Sequence, residues 1–277
     1  MNRVIELVCQ LFRKWQTSNS LSGSNEQQQN QFPPSFLEIL DPLLSEKDMI
    51  TMFTELQKSK TIKLVIINHK PLSTDATILL GQTLQVNHMI KTLVISSCGI
   101  GKNVSCILTE SLTCLSIKEN NIGPEGAIAV CDFLQYNKVM TSLDISTNPI
   151  GEKGALALAQ MLQTNTTLVA LYCNNTQIGT HGAKYFAQHL GSFSLQFLFI
   201  ELNNIEKDGL TALLDSIRYN TKLCALGIQH NPPLDIQDII SIYDTNFTIQ
   251  YIWGDYYYFS GLSEKLQNLV TVIIEID

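Results

Sequence analysis

Apolar and polar positions follow a two-part pattern along most of the chain. In residues 140–168, apolar side chains first stand at offsets 0, 3 and 5, at Met140, Leu143 and Ile145. Leu143 and Ile145 alternate with polar neighbours, which is typical of a short strand. From Ala155 onward the apolar residues recur at steps of three and four, which places one apolar stripe along a helix. Each unit therefore predicts one strand followed by one helix.

This unit recurs at a nearly fixed interval. Successive units are separated by 28, 22, 28, 28, 27 and 28 residues, counted from the first apolar position of each. These first positions are Ile62, Ile90, Leu112, Met140, Leu168, Leu195 and Leu223. One strand and one helix cannot bury their apolar faces alone, so the units are predicted to stack into a repeat array. The short unit that begins at Ile90 keeps its strand, and we expect a loop or one helical turn around residues 102–110.

The turn between strand and helix has a recurring chemistry. Offset 8 carries asparagine in four units, and a buried amide there can pair with backbone groups left open where the chain bends. The predicted structural residues at this offset are Cys98, Asn120, Asn148, Asn203 and Asn231. The segment I-G-x-x-G-A then occurs three times, at residues 122–127, 150–155 and 178–183. Because it lacks the spacing of a phosphate-binding loop, its glycines predict turn geometry and close helix packing.

The combined pattern L-x-x-L-x-L-x-x-N-x-I-G-x-x-G-A, followed by a helix, resembles the leucine-rich repeat family and its ribonuclease-inhibitor-like class. The resemblance covers residues 36–259. It implies an α/β fold, a right-handed solenoid in the form of an arc or horseshoe, with parallel strands on the concave face and helices on the convex face. With its asparagine, isoleucine and lysine bias, the chain is also similar to Legionella-type bacterial leucine-rich-repeat effectors, which implies secretion into a host cell.

The ends of the chain differ from the array. Residues 1–16 predict an amphipathic helix, which could dock on the end of the solenoid, lie on a membrane surface or bind a partner. Residues 17–31 predict a flexible polar linker, because almost none of their side chains could be buried. The solenoid is expected over residues 32–261, and residues 262–277 are expected to form a C-terminal cap over its open apolar end.

Composition and charge argue against several classes of function. The formal net charge is −7, and the three arginines cannot form the basic stripe that nucleic acids require. The seven cysteines include no C-x-x-C pair, which favours neither a zinc site nor a disulfide framework and indicates a reducing, cytoplasmic environment. No protease, hydrolase or nucleotide-binding motif occurs, so we expect neither an enzyme nor a cofactor.

Function is therefore sought on the strand surface that faces away from the helices, which we call the open sheet face. Offsets 2, 4, 6 and 7 point to this face because offsets 0, 3 and 5 point into the core. In the first four units these positions are predicted to be mostly small and polar, whereas aromatic residues gather in the last three units and in a final strand-like segment that begins at Ile249. The predicted partner-binding residues are Tyr172, Asn174, Phe197, Phe199, Glu201, His230, Tyr251, Trp253 and Asp255.

An exposed aromatic cluster usually marks a binding surface, because its burial needs a partner. Phe199 and Trp253 are expected to project from adjacent strands and to form one patch. The alternative is that the C-terminal segment folds over this patch and buries it within the chain. Acidic neighbours favour a protein partner with a basic patch. These neighbours are Glu119, Asp144, Glu201 and Asp255.

Three hypotheses of function follow. The leading one is a non-enzymatic protein–protein interaction module that binds a partner protein on its open sheet face, which the resemblance makes the concave face. The second is a trans-acting regulator of a GTPase or another enzyme, although such a role commonly needs an arginine at the nucleotide and the chain has few. The third is a membrane-tethered scaffold that uses residues 1–16.

Overall fold

The computed structural model describes residues 36–40, 44–192, 194–231 and 251–253. Within these ranges, nine strands form one parallel sheet in which each strand lies beside its neighbours in sequence. The strands are β1 (Phe36–Ile39), β2 (Leu64–Asn68), β3 (Thr92–Ser96), β4 (Cys114–Ser116), β5 (Ser142–Asp144), β6 (Ala170–Tyr172), β7 (Phe197–Phe199), β8 (Ala225–Gly227) and β9 (Tyr251–Trp253). The alternation of these strands with helices confirms the predicted α/β repeat array.

Helices on one side of the sheet connect most of the strands, since parallel neighbours need a crossover. The described α-helices are α1 (Glu46–Lys58), α2 (Thr74–Val86), α3 (Pro124–Tyr136), α4 (Gly151–Thr164), α5 (Gly179–His189) and α6 (Lys207–Ile217). A 3₁₀ helix, Leu190–Ser192, extends α5. In the short unit between β3 and β4, another 3₁₀ helix, Gly101–Ile107, takes the place of an α-helix. The 22-residue unit is six residues shorter than its 28-residue neighbours, and the helical half carries the difference.

The core lies between the sheet and the helices. Leu143 pairs in register with Leu115 and Leu171 on the neighbouring strands, and each of the three is at most 2% exposed. On the helical side, Gly154 allows close packing at the start of α4. A Cβ atom at Gly154 would lie only 2.6 Å from the Cβ of Ile150, so a larger residue would force the turn and the helix apart.

The asparagines at offset 8 join each turn to the unit before it. The Oδ1 of Asn148 accepts hydrogen bonds from the backbone N–H groups of Asn120 and Ile122, at 2.9 and 3.0 Å. Its Nδ2 donates at 2.8–3.1 Å to three backbone carbonyls, those of Ile117, Ile145 and Ser146. The side chain is 1% exposed, so these bonds form where water cannot replace them.

Cys98 fills the same slot in the short unit. Its thiol donates to the carbonyls of Ile67 and Ser96 at 3.3 and 3.1 Å. Its backbone N–H donates to Asn120 Oδ1 at 3.0 Å, which continues the series. Burial raises the pKa of the Cys98 thiol to about 11, so the sulfur keeps its proton at neutral pH and serves as a donor.

The predicted end segments lie outside the described residues. These are the helix at residues 1–16, the linker at residues 17–31 and the cap at residues 262–277. At the first described helix, Ser45 acts as the N-cap of α1, since its Oγ accepts a hydrogen bond from the N–H of Asp48 at 3.2 Å. This cap fixes where the first helix of the array begins.

Candidate interaction surface on the open sheet face

Strand pairing arranges the open sheet face in rows, because the register sets corresponding offsets of neighbouring units side by side. The central row crosses the sheet from β2 to β9. In chain order it contains Ile66, Val94, Ser116, Asp144, Tyr172, Phe199, Gly227 and Trp253. Glu38 on β1 pairs with Ile66 and precedes this row. From β2 onward the row is aliphatic, then polar, then aromatic, so this part of the face has three chemically different parts.

The aliphatic part lies on β2 and β3. Leu64, Ile66 and Val94 are half-buried and stand at positions that face away from the helices. The prediction that the first four units present mostly small, polar side chains does not hold here, because offsets 2 and 4 of the first full unit carry large aliphatic residues. A partner that crosses these strands therefore meets apolar contact area.

Buried polar atoms lie beside the aliphatic part. Asn68 Oδ1, Ser96 Oγ and Ser97 Oγ are buried and have no hydrogen-bond partner among the described residues. Asn68 and Ser96 face each other in register on β2 and β3. A buried polar atom without a partner costs about 1–3 kcal/mol, so a ligand that supplies hydrogen bonds here would relieve that cost. Sequence reasoning missed Asn68, because its burial follows from the packing of neighbouring units.

The polar part centres on Asp144, which is buried rather than exposed. It is 3% exposed, contrary to the prediction of an acidic group at the surface. One oxygen accepts a hydrogen bond from the Ser146 N–H at 2.9 Å, and the other accepts from Ser116 Oγ at 3.1 Å. Burial raises the pKa of Asp144, while these hydrogen bonds and the charge of Lys118 oppose the increase. The Asp144 carboxyl group therefore lies buried beneath the open sheet face, where it is hydrogen-bonded to its neighbours.

Asp144→Asn should change how stability depends on pH. Because the folded state raises the pKa of Asp144, its proton stabilises the fold below the ordinary aspartate pKa of about 3.9, and this contribution is lost as the pH rises through the folded-state pKa. Asparagine keeps an oxygen for the Ser146 N–H and does not titrate. We expect the variant to be more stable than the wild type at neutral pH, by about 1 kcal/mol or more.

Thermal melts between about pH 4 and about pH 8 measure this effect. The difference in melting temperature between the variant and the wild type should grow as the pH rises. Two curves that stay parallel over the whole range would show that Asp144 has no raised pKa in the folded state.

The aromatic part is built around a stacked pair. The rings of Tyr172 on β6 and Phe199 on β7 have centroids 4.8 Å apart and planes inclined by 7°. Phe199 also leans over β8, since a Cβ atom at Gly227 would lie 2.5 Å from Phe199 Cδ1. The glycine therefore leaves room for the ring, and a larger residue at position 227 would displace it.

Strand β8 separates the two groups of predicted aromatic residues. Phe199 pairs with Gly227, and Gly227 pairs with Trp253 on β9. The expectation that Phe199 and Trp253 come from adjacent strands is therefore wrong, since they stand two strands apart, about 10 Å. Tyr251 stands opposite Ala225 in the same register. Ala225 and Gly227 stand at offsets 2 and 4 of the unit that begins at Leu223, so the repeat register already placed two small residues between the two aromatic groups.

Two other predicted site residues, Asn174 and Glu201, hydrogen-bond to each other. Asn174 Nδ2 donates to Glu201 Oε2 at 3.2 Å, and the Glu201 N–H donates to Asn174 Oδ1 at 2.9 Å. Phe197 is half-buried on β7, and His230 is exposed just after β8. Asp255 lies outside the described residues. The Asn174 and Glu201 pair thus places a carboxylate close to the aromatic stack.

Reactive groups are few in the part of the chain that the structure describes. No group of three or more His, Cys, Asp or Glu side chains there could hold a metal ion. Burial raises the pKa of both the Cys131 and the Cys173 thiol, which keeps them protonated and poor nucleophiles. None of the described helices is long and apolar enough to cross a membrane.

The parallel sheet, the crossover helices and the asparagine turns together define a solenoid built from strand, turn and helix units. The family whose description is Leucine Rich repeat matches this sequence over residues 110–131 and 136–159. The fold of this chain is an α/β leucine-rich-repeat solenoid.

Several solved structures are similar to this chain. The complex of Rad7 and Elc1 in yeast has 13% identity and a TM-score of 0.49, with 74% of this chain and 59% of that chain covered. The TLR13–ssRNA13 complex has 15% identity and a TM-score of 0.47, with coverages of 82% and 34%. Actin-binding site 2 of leiomodin-1 has 15% identity and a TM-score of 0.33, with coverages of 59% and 79%. No curated protein matches the sequence.

Proposed function

We propose that this protein is a non-enzymatic protein–protein interaction module that binds a partner protein on its open sheet face. The observation that carries the proposal is the stack of Tyr172 on Phe199, which gathers two half-buried rings on the side of the sheet opposite the described helices. Aromatic side chains supply much of the binding energy at protein interfaces, because they bury a large area with little loss of side-chain entropy.

We propose further that the partner presents a basic segment to the aromatic part of the face. The Glu201 carboxylate is held beside the stack by Asn174, and Glu119 is exposed on the same face. A guanidinium group can stack on an aromatic ring and pair with a carboxylate at the same time. The net charge of −7 would add a long-range attraction, so association should slow as the salt concentration rises.

Affinity capture with the full chain, followed by titration of the captured partner, tests the proposal. The double variant Tyr172→Ala with Phe199→Ala should lose the partner. The matched control is Tyr136→Ala with Tyr219→Ala, which removes two tyrosines that are 78% and 83% exposed and lie at the ends of helices. This control should bind like the wild type. The reverse result, with binding lost only in the control, would move the interface to the helical side.

We also propose that the partner is a host-cell protein that this chain meets after secretion by a bacterium. The support is compositional, namely the asparagine, isoleucine and lysine bias and the Gln/Asn-rich stretch before the solenoid. A translocation reporter fused to the full chain should give a signal in a secretion-competent strain and none in a secretion-deficient strain. Equal signals in both strains would contradict a secreted role.

A regulator that offers an arginine to a GTPase receives less support. The arginine that lies within the described residues, Arg218, is at the end of α6 on the helical side. The open sheet face would have to act through other side chains, so simple docking of a partner is the function that its residues favour.

A further inference from the structure

The edge at which each helix ends and the next strand begins carries a repeated loop. Its centre is a buried asparagine at offset 25, found in Asn87, Asn137, Asn165 and Asn220. In each, Oδ1 accepts a hydrogen bond from the backbone N–H two residues later. The asparagine therefore shapes the loop, and the residues directly before and after it are exposed.

Large apolar side chains are exposed on two of these loops. Their exposed fractions are 64% at Val86, 41% at Met89, 78% at Tyr136 and 38% at Val139. The turn does not require them, because the loop of Asn165 forms the same hydrogen bond with Thr164 and Thr167 at the equivalent positions. Exposed apolar side chains that gather in one place usually mark a contact surface.

Four segments of this edge form one continuous surface, which we call the helix-end edge. They are residues 55–63, 85–91, 108–113 and 132–141. Asn87 Nδ2 donates to Ser59 O at 2.9 Å, which joins the first two segments. The N–H of Thr113 donates to Lys91 O and the N–H of Thr141 donates to Thr113 O, both at 2.8 Å, which joins the other two.

The helix-end edge has an excess of positive charge. Its lysines, all exposed, are Lys58, Lys60, Lys63, Lys91 and Lys138. Its carboxylates, also exposed, are Glu55, Glu110 and Asp132. Lys58 pairs with Glu55 at 2.8 Å, and the other four lysines form no ion pair within the described residues. Five lysines thus stand beside three carboxylates, on a chain whose formal net charge is −7.

We propose that the helix-end edge lies on the surface of a membrane that contains anionic lipid. The lysines would pair with the negative headgroups, and the exposed apolar side chains would reach the boundary between headgroups and acyl chains. Tyrosine suits this boundary, because its ring is apolar and its hydroxyl group can stay hydrated.

The spacing of the apolar side chains favours a flat occupant. Val86 precedes β3 and Tyr136 precedes β5, so the short unit separates them and they stand two strands apart, about 10 Å. A headgroup layer can contact both loops together with the lysines between them. This edge is separate from the open sheet face, so a partner protein and a membrane could be bound at the same time.

Flotation of the full chain with lipid vesicles tests the proposal. Vesicles of phosphatidylserine mixed with phosphatidylcholine should bind the protein, and vesicles of phosphatidylcholine alone should bind little. Binding should weaken as the salt concentration rises, because salt screens the lysines. Lys63→Gln with Lys91→Gln removes two neighbouring charges and should lower the partition coefficient at least about tenfold.

Lys153→Gln with Lys207→Gln is the matched control. It makes the same change of charge at two exposed lysines near the starts of α4 and α6, which lie at the other end of the helices. This control should bind vesicles like the wild type. Equal losses in the two double variants would mean that total charge alone governs binding, and the helix-end edge would then have no special role.

Val86→Ser with Tyr136→Ser tests the apolar contribution. The variant keeps every lysine, and both side chains are exposed, so its melting temperature should stay close to that of the wild type. Its binding to the mixed vesicles should be weaker, because less apolar area can be buried in the membrane. Unchanged binding would contradict insertion of these side chains.

Two further outcomes would overturn the proposal. Vesicle binding that survives both edge variants would place the lipid contact elsewhere in the chain, residues 1–16 included. Binding of a polyglutamate peptide without binding of vesicles would assign the edge to an acidic protein surface. Tyr172→Ala with Phe199→Ala should leave vesicle binding unchanged, which separates this inference from the proposed function of the open sheet face.

Discussion

Asn148→Ala is expected to lower the free energy of unfolding by about 3 kcal/mol or more, because one truncation leaves several buried backbone groups unpaired. The side chain accepts from two N–H groups and donates to three carbonyls, all at 3.1 Å or less. These groups belong to two neighbouring units, so the loss weakens both the turn and the contact between units. Chemical denaturation, with the midpoint and slope fitted separately, measures the change.

Asn175→Ala is the control for this prediction. Asn175 is exposed, and its side chain is not part of the turn series. Its φ of 53° is less favourable for alanine than for asparagine, so a loss of up to about 1 kcal/mol is expected. Comparable losses of stability for the two variants would mean that the hydrogen bonds of the Asn148 side chain contribute little to stability. Backbone conformation alone would then hold the turn.

The strands and helices were predictable because every unit must bury the same positions against its neighbours. Leu143 on β5 and Leu198 on β7 occupy equivalent positions on the two strands that flank β6, and both are fully buried. The 22-residue spacing after Ile90 likewise predicted a reduced helical half, and the 3₁₀ helix Gly101–Ile107 confirms it. The period predicts which side chains are buried, because a shift of one residue in the register would turn the apolar side chains outward.

The chemistry of the open sheet face was harder to predict, because it depends on neighbouring units. Asp144 stands at an outward offset, yet it is buried, because Ser116 on the neighbouring strand and the Ser146 N–H in its own unit both donate to it. Gly227 interrupts the aromatic row at offset 4 of the Leu223 unit, a position that the repeat register does place on the open sheet face.

Leu198→Ala and Phe199→Ala are expected to separate stability from binding, although the two residues are neighbours. Leu198 is fully buried in the core, so its truncation should cost about 2–5 kcal/mol of unfolding free energy. Phe199 lies on the open sheet face, and its truncation removes the stack on Tyr172, which is worth about 0.5–1.5 kcal/mol. The same change should weaken partner binding by about 2 kcal/mol or more.

Gly227→Ala sharpens this test, since it keeps the Phe199 ring but forces it to move. The added Cβ would lie 2.5 Å from Phe199 Cδ1 and 2.7 Å from Glu201 Oε1, so both groups must shift from the positions that form the aromatic part of the face. Titration of the captured partner should therefore show weaker binding to this variant, while the core around Leu198 is untouched.

If Phe199→Ala instead destabilises the protein as much as Leu198→Ala, the aromatic pair belongs to the core and the docking surface lies elsewhere.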